Sequence, residues 1–126
     1  MRVKICGITN LEQGRAIAQL GATDLGFICV QKSPRYLPPE KIMTITPNLP
    51  PNICSIGVFA NAEISEICST VNRGQLSAVQ LHGKESPEFC QQLRSQLPQI
   101  ELIKAIAVKT PDSLRGTRSE EHTSEL

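Results

Sequence analysis

Tryptophan is missing from the chain, tyrosine occurs once and phenylalanine three times, so there is no aromatic platform on which nucleic-acid bases could stack. An excess of charge is missing too. Thirteen basic residues against 12 acidic ones leave a formal net charge of +1, and no long-range field recruits nucleic acid or an anionic membrane. No apolar run approaches the roughly 20 residues of a membrane-spanning helix. Met1 is followed at once by the strand-like Arg2-Val3-Lys4-Ile5, where a secretory signal would need an apolar core, and a cytoplasmic protein is expected. Paired cysteines are lacking as well. The 5 cysteines, at positions 6, 29, 54, 68 and 90, are odd in number, far apart and without a C-x-x-C spacing, which argues against a disulfide framework and against a zinc site.

What is present is an alternation of short β-branched runs with helical patterns. The runs are Val3 to Cys6, Leu25 to Val30, Ile53 to Phe59, Leu76 to Leu81 and Ile100 to Val108, starting about 25 residues apart. Between the first two, Leu11, Ala16, Ile17 and Leu20 repeat at helical spacing behind Asn10, a suitable N-cap, and Gly21 provides a stop. The second helix starts at Pro38-Pro39-Glu40-Lys41 and is stopped early by the proline-rich Thr46 to Pro51. A third carries Ile64, Ile67, Cys68 and Val71 and ends near Gly74. A fourth opens at Ser86-Pro87-Glu88, carries Phe89, Leu93 and Leu97, and meets Pro98.

One helix per strand at this step predicts an α/β protein with a parallel sheet, either an open doubly wound sheet or part of a (β/α)₈ barrel. Periodicity alone does not choose between them. A dinucleotide-binding sheet needs G-x-G-x-x-G after its first strand, and this chain has Cys6-Gly7-Ile8-Thr9-Asn10 there. In α/β proteins the reactive groups gather at the C-terminal ends of strands. Those ends hold Cys6, Ser33-Pro34-Arg35, Asn61 and Gln80-Leu81-His82-Gly83. A cysteine so placed can be a thiolate nucleophile, a general base or, most often, an inert thiol.

Five blocks bear on that choice: Lys4-Ile5-Cys6-Gly7-Ile8-Thr9; Gly26-Phe27-Ile28 leading into Lys32-Ser33-Pro34-Arg35-Tyr36; Gly57-Val58-Phe59-Ala60-Asn61; Val79-Gln80-Leu81-His82-Gly83; and Lys104-Ala105-Ile106. In this order and spacing they resemble the phosphoribosylanthranilate isomerases, over residues 1 to about 114. The resemblance implies a partial TIM (β/α)₈ barrel, with strands one to five, helices one to four and the start of a fifth helix at Pro111 to Leu114. It implies an Amadori rearrangement of N-(5-phosphoribosyl)anthranilate to 1-(2-carboxyphenylamino)-1-deoxyribulose 5-phosphate, in tryptophan biosynthesis, with no cofactor and no metal. The implied partner is this small-molecule substrate. By the same resemblance Cys6 is the general base that removes the C2 proton, while the general acid is an aspartate on a sixth strand that the chain does not reach.

Arg35, behind the rigid Pro34, could grip the anthranilate carboxylate through two parallel hydrogen bonds. Gln80 could bond a sugar hydroxyl or merely fill the lumen, and His82 could orient substrate, pass a proton, or cap a backbone turn. An ordinary thiol is mostly protonated at neutral pH, so a base at Cys6 requires a cation or backbone N–H donors nearby, with Lys4 and Arg35 as candidates. Period-2 alternation puts Lys4 on the lumen face with Cys6. There it could tune the thiol, or could simply pair with Asp24.

The chain is expected to divide into residues 1–114, the N-terminal part of the barrel domain, and 115–126, a disordered, non-native tail. Arg118 to Leu126 has one apolar residue and no periodicity, and it fits the translation of a common sequencing-adapter oligonucleotide. His122, Glu120 and Glu121 are accordingly given no metal-binding role. A barrel cut here would leave its first and fifth strands as open edges and would be inactive alone. Two rival readings remain: a non-catalytic flavodoxin-like binding module, which requires the first strand to be central, and another phosphate-binding barrel enzyme with Cys6 as covalent nucleophile.

Overall fold

The computed structural model describes residues 1–109 and 119–125. Their strands are β1 Lys4–Cys6, β2 Asp24–Ile28, β3 Cys54–Phe59, β4 Ala78–Leu81, β5 Glu101–Lys109 and β6 Ser119–Glu125, in one sheet of that order. The first five run parallel, each hydrogen-bonded to the next. Helices α1 Leu11–Gln19, α2 Pro39–Ile42, α3 Ile64–Gly74 and α4 Pro87–Gln96 make the crossovers. This is the expected partial barrel. With β1 at the edge and not between two strands, the flavodoxin-like reading is excluded.

Local chemistry explains the helix ends. Asn10 Oδ1 accepts from the Gln13 backbone N–H at 2.7 Å, and Ser86 Oγ accepts from that of Phe89 at 3.1 Å, so each satisfies a donor that the first turn leaves open. The second crossover is the short helix with a proline-rich exit that the sequence suggests, continuing into a 3₁₀ turn over Thr46–Asn48.

Strand alternation divides the buried side chains between two faces. Leu25, Phe27, Phe59, Val79, Leu81 and Leu102 point outward and join Ile42, Ile67 and Leu93 of the helices in the main core. Ile56, Ala78 and Ile103, with Cys54 beside them, form a smaller cluster on the inner face. Two contacts show that the sheet is rolled. Lys4 donates to Gln80 Oε1, although β1 and β4 lie three strand spacings apart, about 14 Å on a flat sheet. Arg2 reaches Glu101, on β5, at 3.1 Å. Neither side chain could cover those distances unless the inner face were concave.

The expected disordered tail is corrected in part. Residues 119–125 form β6, antiparallel to β5, with Ser119 opposite Lys109 and Glu125 opposite Ile103. The physical reason lies in the edge: β5 presents unpaired N–H and C=O groups, and backbone pairing with them requires no apolar face. The fifth strand is therefore not the open edge expected of it. A strand running this way is also no substitute for a parallel sixth strand, since it ends at the opposite rim. The expected start of a fifth helix at Pro111 to Leu114 lies outside the described residues. Along α4 and the outer face of β5 runs a groove of about 630 Å³, walled by Pro87, Cys90, Arg94, Lys104 and Ile106.

Candidate active site

Because β1 to β5 are parallel, their C-terminal ends share one rim, and the sequence-selected residues stand around it. Cys6 is the last residue of β1 and is open to solvent. Opposite it in register is Gly26, where a Cβ would come within 2.7 Å of the Cys6 sulfur, so any larger residue there would push the thiol aside. Gly7 turns the chain out of β1 with φ of 91°, a conformation that side chains resist, and hydrogen-bonds its N–H to the Gly26 carbonyl at 3.0 Å. A Cβ on Gly7 would lie 2.7 Å from a guanidinium nitrogen of Arg35. The exposed Arg35 thus lies against the residue that follows Cys6. Its own loop is fixed by an N–H bond to Ser33 Oγ at 3.2 Å.

Below Cys6 on the same face, Lys4 donates to Gln80, a residue only 5% exposed. The Lys4–Asp24 pair, one of the two roles left open for Lys4, does not form among the described residues. Although Lys4 and Asp24 are register partners, Asp24 is taken by Arg2, whose Nε and terminal nitrogen each donate to one carboxylate oxygen at 3.0 Å. A guanidinium fork matches both oxygens at once, which a lysine ammonium cannot do. Those hydrogen bonds hold the Asp24 carboxyl below its usual range. Burial raises the pKa of the Cys6 thiol, and the charge on Lys4 acts in the opposite direction.

The other thiols behave as small hydrophobes. Cys29 is buried in the main core and burial pushes its thiol up to about 12; burial also raises Cys54 and Cys90. His82, exposed at the end of β4, donates its backbone N–H to the Phe59 carbonyl at 2.7 Å. Nothing in the sequence points to the group that fixes the rim here. Glu85, with its side chain 2% exposed, accepts from Lys104 Nζ at 2.7 Å, from the Gly83 N–H at 3.0 Å and from the Asn61 N–H at 2.8 Å. It thereby ties the ends of β3 and β4 to the middle of β5. Burial would raise its pKa, but Lys104 and the Asn61 N–H outweigh that effect and hold it below the ordinary value. In the sequence Glu85 is one residue outside a helix cap, where periodicity carries no information.

A rolled parallel sheet with reactive side chains collected on its C-terminal rim is the architecture of a (β/α)-barrel enzyme. Residues 3–125 match the family model for N-(5'-phosphoribosyl)anthranilate isomerase, and the chain belongs to that family. The N-(5'-phosphoribosyl)anthranilate isomerase of Trichodesmium erythraeum is 57% identical over 116 residues, which are 91% of this chain and 50% of that protein. The protein of the same name from Crocosphaera subtropica is 57% identical over 114 residues, 90% of this chain and 54% of that one. A solved phosphoribosyl anthranilate isomerase, in complex with reduced 1-(o-carboxyphenylamino)-1-deoxyribulose 5-phosphate, superposes with a TM-score of 0.82 at 41% identity, covering 91% of this chain and 58% of the other. The isomerase of Thermus thermophilus superposes with a TM-score of 0.81 at 33% identity, covering 94% and 59%. The chain spans about half the length of the curated relatives it matches.

Proposed function

We propose that the whole protein isomerises N-(5'-phosphoribosyl)anthranilate by an Amadori rearrangement, with Cys6 as the general base. The observation that carries this reading is the placement of Cys6: solvent-open at the end of β1, with Gly26 making room for its sulfur and Arg35 across Gly7. A base there would withdraw the C2 proton of the ring-opened Schiff base, leaving an enolamine that tautomerises to the ketone. Arg35 would hold the anthranilate carboxylate, which fits a guanidinium two-point contact. Gln80 has its carbonyl oxygen committed to Lys4, so its NH₂ is the group available to a sugar hydroxyl. His82 would border the same space from the end of β4. Chemistry of this kind is proton transfer throughout and requires no cofactor.

The same reading takes residues 1–114 as the family's portion of the barrel domain and 115–126 as foreign to it, supported by the adapter-like composition of the tail and its antiparallel pairing. The acid that opens the ribose ring would then come from a segment beyond this chain. No helix among the described residues is long and apolar enough to cross a membrane. The cytoplasmic location belongs to the biosynthetic role proposed. The test is turnover of N-(5'-phosphoribosyl)anthranilate by residues 1–114 joined to the C-terminal half of the Trichodesmium erythraeum relative, beside the 126-residue chain. Activity in the joined protein and none in the chain alone is expected. Activity in the chain alone, or an inactive joined protein in which substrate is trapped covalently on Cys6, would contradict the reading.

A further inference from the structure

The inner face of the half-barrel holds cations of two kinds. Arg2 is neutralised by Asp24 and Glu101. Lys4 is different: among the described residues its one side-chain hydrogen-bond partner is the amide oxygen of Gln80, and no carboxylate pairs with it. A neutral acceptor fixes the direction of an ammonium group without cancelling its charge, whereas a carboxylate would do both. Two residues along, on the same face of β1, stands Cys6.

Resting on the reading of Cys6 as the base, we infer that Lys4 is a positioning residue that acts through it: anchored on Gln80 and with no counter-ion among the described residues, Lys4 favours the thiolate form of Cys6. The remaining groups around the thiol fit this role. Arg2, just ahead of β1, is held by Asp24 of β2 and Glu101 of β5, a trio with a net charge of −1; Lys104 of β5 lies on the outer face, held by Glu85. His82 stands at the end of β4, and Arg35, in the loop after β2, is the rival cation. Lys4 is the charged group that lowers the Cys6 pKa against the upward push of burial. The arrangement also assigns a purpose to burying Gln80, which as a glutamate would quench the ammonium it now holds.

The experiment is the pH dependence of Cys6 alkylation by iodoacetamide in the 126-residue chain, read by mass spectrometry on the Cys6 peptide, with circular dichroism as the check on folding. Lys4→Met is expected to raise the midpoint by about one pH unit, the lower end of what one nearby charge does. Lys4→Arg keeps it close to the wild-type value, and Gln80→Met moves it part of the way. Arg35→Met moves it less than Lys4→Met. In denaturant the difference between wild type and Lys4→Met disappears, because the effect belongs to the folded placement. Should Lys4→Met not fold, Gln80→Glu carries the same test: a carboxylate beside Lys4 raises the midpoint. An unchanged midpoint in the folded variant, a shift of equal size in denaturant, or a larger shift from Arg35→Met would overturn the inference. Turnover of the joined protein reports separately on the isomerase reading. If Cys6→Ala kept that turnover while Lys4→Met still moved the midpoint, the role of Cys6 would fall and the electrostatic coupling would stand.

Discussion

Replacing Glu85 by alanine should be among the most damaging single changes to the described fold. The carboxylate accepts three hydrogen bonds, from Lys104 Nζ at 2.7 Å and from the backbone N–H groups of Gly83 at 3.0 Å and Asn61 at 2.8 Å, with its side chain 2% exposed. Removing one partner of a buried pair costs about 3–5 kcal/mol, because the other charge is left buried without compensation. Two features place the cost at the lower end. Lys104 keeps a second acceptor in the Gly83 carbonyl at 2.6 Å, and Asn61 is exposed, so water can reach its freed N–H. A loss of about 3 kcal/mol would consume much of the 5–15 kcal/mol typical of a domain. Urea denaturation followed by circular dichroism, comparing wild type, Glu85→Ala and Glu85→Gln, measures it. Glu85→Gln should recover part of the loss, since an amide oxygen can still accept from one backbone donor. A loss below about 1 kcal/mol for Glu85→Ala, the range of exposed ion pairs, would refute the claim that this carboxylate holds the rim together.

Asn10→Ala removes the acceptor for the Gln13 N–H and should cost about 1 kcal/mol in the same denaturation experiment, with Asn10→Asp close to neutral. Asp24 and Glu85 are both held below their ordinary carboxylate pKa, so the stability they contribute is fully present above about pH 5 and is lost as pH falls through their folded-state values. Midpoints of urea unfolding between pH 6 and 3 should therefore decline, less steeply in Glu85→Gln. In the joined protein, Arg35→Ala should raise KM with little change in kcat if the guanidinium holds the substrate carboxylate equally in ground and transition states.

Strand order and helix ends were legible because they rest on local signals: β-branched runs at a regular step, Asn10 and Ser86 as caps, and prolines that stop the second helix. The rim was legible at Cys6, Arg35 and His82 because parallel strands bring all their C-terminal ends to one side. The partner of Lys4 was not. Asp24 was one candidate as a lumen carboxylate, yet the two-point fit of the Arg2 guanidinium wins that carboxylate, and a lysine on β1 meets a glutamine on β4 only once the sheet has rolled. Glu85 escaped notice for a similar reason, since its donors come from the ends of β3 and β4 and from within β5. The β6 pairing could not be read from side chains at all. It arises from the unpaired backbone of β5, to which the polar character of Ser119 to Glu125 is no obstacle.

The central claim is that Cys6 is the base of the isomerisation, and the most direct measurement is kcat for N-(5'-phosphoribosyl)anthranilate in the joined protein carrying Cys6→Ala, with a thermal melt alongside. Loss of a general base is expected to lower kcat about 10² to 10⁴-fold while the melting temperature stays near that of the parent. Turnover close to the parent's in a folded Cys6→Ala protein would contradict the account and return Cys6 to the inert thiols.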